Sequence, residues 1–442
     1  MKRLSRLGIV GLMAVGLVLA GGLGLFLRID PEPAVPSGRG ADPGAFLGPG
    51  ASGSLASSVA ALQQRVREVP DDWQASASLG LAYVQQGRIT GDPGYYPKAA
   101  GALRLSLRAQ PENADALLGL AALASARHDF DRALDYGQRA RDKDPHDANV
   151  HGVVGDALIE LGRYDEGFEA FQTMVDTRPD TASLSRASYA FELQGDRKAA
   201  ITAMRAARGY AGNPSDAAWT SYQLGELYLA EGRVRKAADA FRDGIRIDPT
   251  SIGSLAGLAS IDLARGDLEG AIARMQEVVA RFPAPEYVIA LGDLHTRAGD
   301  AEAAERQYDL AKVEADLFRD AGVNVDLELA LFFADHDDPR QALAAAEAEW
   351  AKRESIHVAD AIAWALHVNG RDEEAARYAR RALSLGTEEG LFLYHAGMIE
   401  LGLGDREAAR QYLREALELD PWFSILGVPE ARRALARLEG GR

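Results

Sequence analysis

The chain has 442 residues, 47% of them hydrophobic and 26% charged, with a formal net charge of −16 and no cysteine. That length exceeds one ordinary core, so several domains or a repeat array are expected. The acidic balance disfavours nucleic acid as a partner, and the lack of cysteine removes thiol nucleophiles, disulfides and thiolate metal sites.

At the N-terminus Lys2, Arg3 and Arg6 precede an uncharged apolar run from Leu7 to Leu27, closed by Arg28. These twenty-one residues, as a helix, span roughly 31 Å, close to a hydrocarbon core of about 30 Å. Positive charge lies before the run, while Asp30 and Glu32 follow it. The distribution predicts a single-pass membrane anchor over residues 1–28, with a cytoplasmic N-terminus and an extracytoplasmic body. The alternative is a signal peptide cleaved after Val18-Leu19-Ala20, which leaves a secreted or periplasmic protein. Gly16, Ala20 and Gly24 fall four apart, a small-residue spacing that permits self-association of membrane helices. Residues 29–58 are rich in Pro, Gly, Ser and Ala and read as a flexible spacer.

The body is rich in Ala, Leu, Glu and Arg, all strong helix formers. Period-two runs of Val, Ile and Thr are hard to find, which argues against a β fold. Removing residues 1–28 takes away four basic and no acidic residues, so the remainder carries −20. From about residue 59 one pattern recurs. Gly162, Gly195, Gly232, Gly266, Gly299, Gly370 and Gly404, with His128 and Asp337 in equivalent slots, are mostly 33 or 34 residues apart. Pro111, Pro145 and Pro179 are 34 apart, as are Pro249 and Pro283. A small residue lies on the first half of each unit (Gly80, Ala121, Gly155, Gly225, Gly292) and an alanine on the second (Ala99, Ala133, Ala200, Ala237, Ala271, Ala304, Ala342, Ala375, Ala409). Small side chains let two helices approach closely, glycine tolerates the left-handed turn between them, and proline stops the second helix.

This pattern resembles the tetratricopeptide repeat, two antiparallel helices per 34 residues. Leu224, Gly225, Tyr228, Gly232, Ala237, Phe241 and Pro249 occupy the signature places in the fifth unit. Gly155, Gly162, Tyr164, Phe171 and Pro179 do so in the third. Leu79, Gly80, Tyr83, Ala99 and Pro111 do so in the first, once a seven-residue insertion is allowed. About ten repeats cover residues 73–421 within one repeat domain, 59–442. A leading helix is expected over 59–69 and a capping helix over 429–438. The resemblance implies an all-α fold of tandem helix-turn-helix repeats stacked into a right-handed solenoid, or superhelix, with a concave groove.

Catalytic motifs are absent: no GxSxG elbow, Walker A loop or HExxH pair occurs. Asp335-His336-Asp337-Asp338 is the compact acidic cluster, read as a hairpin turn in which Asp338 caps the helix starting at Pro339. No metal or cofactor is expected. Tyr95 and Tyr96 lie in the insertion, and packing back onto the first repeat is the reading preferred over partner contact. His151 and His295 fall at positions that pack between helices.

In the family that this chain resembles, ligands lie along the concave face lined by first helices. Carrying the phase over places Asp156, Tyr189, Trp219, Tyr222, Glu226, Asp293, Trp364, His367, Tyr394 and His395 there. Two groups stand out. Tyr189, Trp219, Tyr222 and Glu226 form a central one, and Trp364, His367, Tyr394 and His395 a C-terminal one. Acidic residues stand where a carboxylate clamp needs Lys, Arg and Asn, so a basic polypeptide suits this groove better than a C-terminal carboxylate. The expected function is a non-catalytic protein–protein interaction scaffold or adaptor outside the cytoplasmic membrane. The competing readings are an accessory subunit of an envelope or transport enzyme complex, and an enzyme with a groove-assembled site using Glu226 or His367.

Overall fold

Phe241 shows how the repeat works. Its ring is completely buried, and a Cβ placed on Gly225 or on Gly257 would lie 2.3 Å or 2.4 Å from its Cε1. One large side chain on a second helix thus needs a small residue on its own first helix and another on the next. Leu103 meets Gly80 and Gly119 in the same way, Phe171 meets Gly155, and Tyr308 meets Gly292. The alanine slot is equally closed, with Ala99, Ala133, Ala200, Ala237, Ala271, Ala342, Ala375 and Ala409 at zero exposure.

The computed structural model describes residues 55–440 except Asp337 and the side chain of Ile89. The expected anchor or signal, its Gly16/Ala20/Gly24 stripe, most of the 29–58 spacer and Asp337 lie outside the described residues. Among those described, every regular element is a helix and none is long and apolar enough to cross a membrane. Helix α1 (Leu55–Glu68) begins four residues before the expected start, with Leu55 half-buried and Val59 buried. Then come α2 (Trp73–Thr90), α3 (Tyr95–Ala109), α4 (Ala114–Ala126), α5 (Phe130–Lys143), α6 (Ala148–Glu160), α7 (Tyr164–Thr177) and α8 (Thr181–Leu193). The series continues through α9 (Arg197–Gly209), α10 (Pro214–Ala230), α11 (Val234–Ile247), α12 (Ile252–Ala264), α13 (Leu268–Arg281), α14 (Pro285–Ala298) and α15 (Ala301–Asp320). It ends with α16 (Asp326–Asp335), α17 (Pro339–Trp350), α18 (Ile356–Val368), α19 (Asp372–Ala382), α20 (Gly390–Leu403), α21 (Arg406–Leu419) and α22 (Gly427–Gly440).

From α2 to α21 the helices run as ten successive pairs. The turn glycines Gly162, Gly195, Gly232, Gly266, Gly299, Gly370 and Gly404 all have positive φ, and so does His128 at 55° in the equivalent slot. An aspartate commonly follows the turn residue and caps the second helix. Asp129, Asp196, Asp267, Asp338 and Asp405 each accept a main-chain N–H two or three residues on. The left-handed residue ends one helix and the carboxylate starts the next.

The described residues group into two compact units. The first comprises residues 55–190 with 317–324. In it α2, α4 and α6 pack successively, each also against its second helix. His128 is held there by its Nδ1–H, which donates to Asn324 O at 2.8 Å. Tyr96 is buried in the first turn of α3, and Gly87 leaves room for its ring. The second unit comprises 191–316 with 325–440, where α10 packs on α12 and α16, α18, α20 and α22 pack in series.

Candidate functional site

The first helices carry the residues that the repeat phase assigned to a groove, and the structure places them in two environments. In the first unit Asp156 is buried and paired with Arg186, whose Nε and Nη2 lie 2.8 Å and 2.6 Å from its two oxygens. Tyr189 on α8 is half-buried. In the second unit Asp293 is buried, accepts the Tyr308 hydroxyl hydrogen at 3.0 Å and lies 3.4 Å from His336 Nε2 of the next repeat.

Trp364, Tyr394 and His395 lie inside the molecule, exposed by no more than 1%. The Trp364 indole is stacked between His395 (4.2 Å between centroids, 13°) and His367 (4.9 Å, 23°). Its Nε1–H donates to Asp335 Oδ1 at 2.7 Å, and His395 Nδ1–H faces both oxygens of Asp360 at 2.9 Å and 3.0 Å. His367, half-buried, holds its Nδ1 2.5 Å from Asp372, and burial pushes its pKa down against that carboxylate. This group knits α16, α18 and α20 together through aromatic faces and carboxylate-anchored N–H groups.

The central group is different. Trp219, Tyr222 and Glu226 lie on one face of α10 and all three are half-buried. The Tyr222 ring rests over Gly253 of α12, where an added Cβ would come within 3.1 Å of the ring. Glu226 Oε1 is shielded from solvent and has no hydrogen-bond partner. Burial first, then the charges of Asp420 and Glu192, raise the Glu226 carboxyl to about 8. Glu192, at the end of α8, is also raised to about 8, by burial and by Glu389 against the pull of Arg197. Asp420, after α21, is raised to about 7 by burial and Glu389. Further along, burial brings Glu286 and Glu328 to about 7.

Contacts also join distant segments within this unit. Thr387 Oγ1 donates to Leu193 O, and Arg197 Nη2 to Glu388 O. Arg197 Nη1 donates to Ala230 O at 3.0 Å. Gly195 comes so close to the opposing loop that a Cβ would lie 2.3 Å from Gly386 O. Arg297 Nη1 donates to Ile425 O at 3.1 Å. The repeat phase identified Glu226 but not Glu192, Glu389 or Asp420. Among the described residues no group of three or more His, Asp or Glu could hold a metal ion.

Models of the tetratricopeptide repeat match residues 50–148 and 184–252, 124–188 and 228–294, and 392–421. Together they take in residues 50–294 and 392–421, more than half of the chain. The TPR repeat-containing protein YpiA of Bacillus subtilis is 23% identical over 300 residues, 67% of this chain and 61% of that protein. Cellulose synthase 1 operon protein C of Komagataeibacter xylinus is 26% identical over 227 residues, 47% of this chain and 16% of that protein. The chain therefore spans less than two thirds of either relative. The solved human IFIT1 dimer with PPP-AAAA aligns over 75% of this chain and 78% of that chain, at 17% identity and a TM-score of 0.47. Stacked repeats of this kind present extended surfaces suited to protein–protein interaction. The paired helices, their small-residue contacts, the positive-φ turns and the sequence matches lead to one assignment: the chain belongs to the tetratricopeptide repeat family.

Proposed function

We propose that this protein is a non-catalytic scaffold that binds a polypeptide along the first-helix face of its repeats, outside the cytoplasmic membrane. The observation that carries this reading is the half-buried row Trp219, Tyr222 and Glu226 on α10, with a shielded Glu226 oxygen that no protein group satisfies. Flat aromatic area beside a polar group is the composition of binding hot spots. Tyr189, half-buried on α8 in the other unit, is a separate candidate contact residue. The C-terminal group contributes His367 at its half-buried edge, while Trp364, Tyr394 and His395 support that face from within. The tether is the apolar run Leu7–Leu27 with basic residues before it.

The match to Cellulose synthase 1 operon protein C favours a second reading. In that reading the scaffold is an accessory subunit of an envelope or transport enzyme complex, and the same surface binds a subunit of it.

Photoreactive residues at positions 219 and 222 of the full-length protein, followed by mass spectrometry, test the reading. Crosslinks to a polypeptide from these positions are expected. Robust crosslinks from other surfaces with none from 219 or 222 would refute the assignment of this face.

A further inference from the structure

We infer that residues 421–426 are an internal ligand of the second unit: they strap the rim of its first-helix face, and a partner binds by displacing them with an extended segment that carries its own aliphatic side chain. This rests on the reading of the first-helix face as the binding surface, and adds how that surface is guarded and what its partner presents.

The segment joins α21 to α22 and is not helical. Phe423 anchors it to the last repeat, buried and stacked on Tyr394 of α20 at 5.3 Å between centroids. The residues on either side of Phe423 reach much earlier parts of the chain. Pro421 meets the turn that closes α10, where a Cβ on Gly232 would lie 3.9 Å from the proline ring. Ile425 packs against the apolar core shared by α12, α13 and α14, which includes Leu255, Met275, Leu291 and Leu294. The Ile425 carbonyl accepts a hydrogen bond at 3.1 Å from Arg297 Nη1, in the last turn of α14. The segment thus runs past the C-terminal ends of α10 and α14. Trp219, Tyr222 and Glu226 lie about two to four turns before Gly232 along α10, and Tyr222 already rests over Gly253 of α12. A polypeptide leaving Tyr222 across α12 towards α14 meets Ile425 and Arg297.

The hold is of a kind that a competitor can replace. Ile425 is half-buried, and its bond to Arg297 is open to solvent. One aliphatic side chain and one exposed hydrogen bond contribute little by themselves. They persist because the segment is tethered, which gives it an effective concentration on the order of millimolar. While the strap is closed, a partner's apparent affinity falls by the fraction of molecules that are open. What the partner must supply follows from what it replaces: an aliphatic side chain for the α12–α14 core and a main-chain carbonyl for Arg297.

The test uses the full-length protein in detergent and a capped peptide of residues 420–427, Asp-Pro-Trp-Phe-Ser-Ile-Leu-Gly, with a photoreactive diazirine in place of its leucine. Crosslinks are mapped by mass spectrometry as peptide concentration rises, and the same peptide with aspartate for isoleucine serves as the blank. Ile425→Asp should open the strap, so that crosslinks to α12–α14 appear at a peptide concentration at least about tenfold lower than in wild type. Adding Arg297→Ala should remove most of that gain. If Ile425→Asp does not unfold in one cooperative transition, Ile425→Ala carries the same comparison. Equal crosslinking of wild type and variant, crosslinking of neither at about 0.5 mM peptide, or a gain indifferent to Arg297→Ala overturns the inference. Crosslinks from positions 219 and 222 of wild type to a polypeptide, together with any of those results, would leave the binding face standing and remove only the strap.

Discussion

Around Trp364 and around Trp219 the same kind of first helix carries an indole, yet one is sealed in and the other half-open. At Trp364 the neighbouring first helices bring a carboxylate to each ring N–H: Asp335 to the indole and Asp360 to His395. These two N–H donors are satisfied in the interior, although the buried Tyr394 hydroxyl and His395 Nε2 find no partner. At Trp219 the neighbouring helix offers Gly253 beneath Tyr222, and of the carboxyls nearby Asp420 accepts the Trp422 N–H while Glu226 Oε1 has no partner. Where carboxylates meet ring N–H groups of neighbouring first helices, as Asp335 and Asp360 do, the aromatic face is sealed.

The comparison is broken most strongly by removing the sealed ring. Trp364→Ala takes out a completely buried side chain and removes the indole donor to Asp335, and should cost about 3–5 kcal/mol in urea or thermal unfolding. Loss of less than about 1 kcal/mol would show that the stack is not part of the core.

A smaller effect comes from pH. Glu192 and Glu226, raised to about 8 in the folded chain, titrate near 4.3 when unfolded. Between these values the folded state holds more protons, so their contribution to stability is full below about 4.3 and is lost as pH rises through about 8. Relative to wild type, Glu192→Gln with Glu226→Gln should flatten the decline of melting temperature between pH 5 and pH 8. An unchanged slope would mean that these carboxyls are solvated as ordinary surface groups.

The smallest stability effect is expected at the open indole. Trp219→Ala, on a half-buried ring, should change stability by under about 1 kcal/mol while abolishing crosslinks from position 222. Loss of several kcal/mol would place Trp219 with Trp364 as a packing residue and shrink the proposed surface.

Much of the fold is legible in the sequence because each repeat states it again. Gly225 and Ala237 are constrained by neighbours at fixed offsets, and the ring of Phe241 leaves no alternative at either helix. The central site was legible in part. Trp219, Tyr222 and Glu226 fall on one face by helical periodicity alone, and α10 presents them together. Asp156 and Asp293 share that phase but are taken up by Arg186 and Tyr308, which periodicity does not reveal. Asp338 reads as a cap from the sequence, and the structure extends that role to Asp129, Asp196, Asp267 and Asp405.

The sequence by itself determined the paired helices, their small-residue seams and their turns, because these depend on residues within about one repeat of each other. Tertiary structure alone decided that the end of α8 and the start of α9 meet the loop before α20, since the segments lie roughly two hundred residues apart along the chain and are joined through loop carbonyls that carry no side-chain signature. It also decided which aromatic group is sealed. Burial depends on whether the next helix supplies a carboxylate to a ring N–H or a glycine beneath the ring, and a periodic pattern of apolar positions does not distinguish the two.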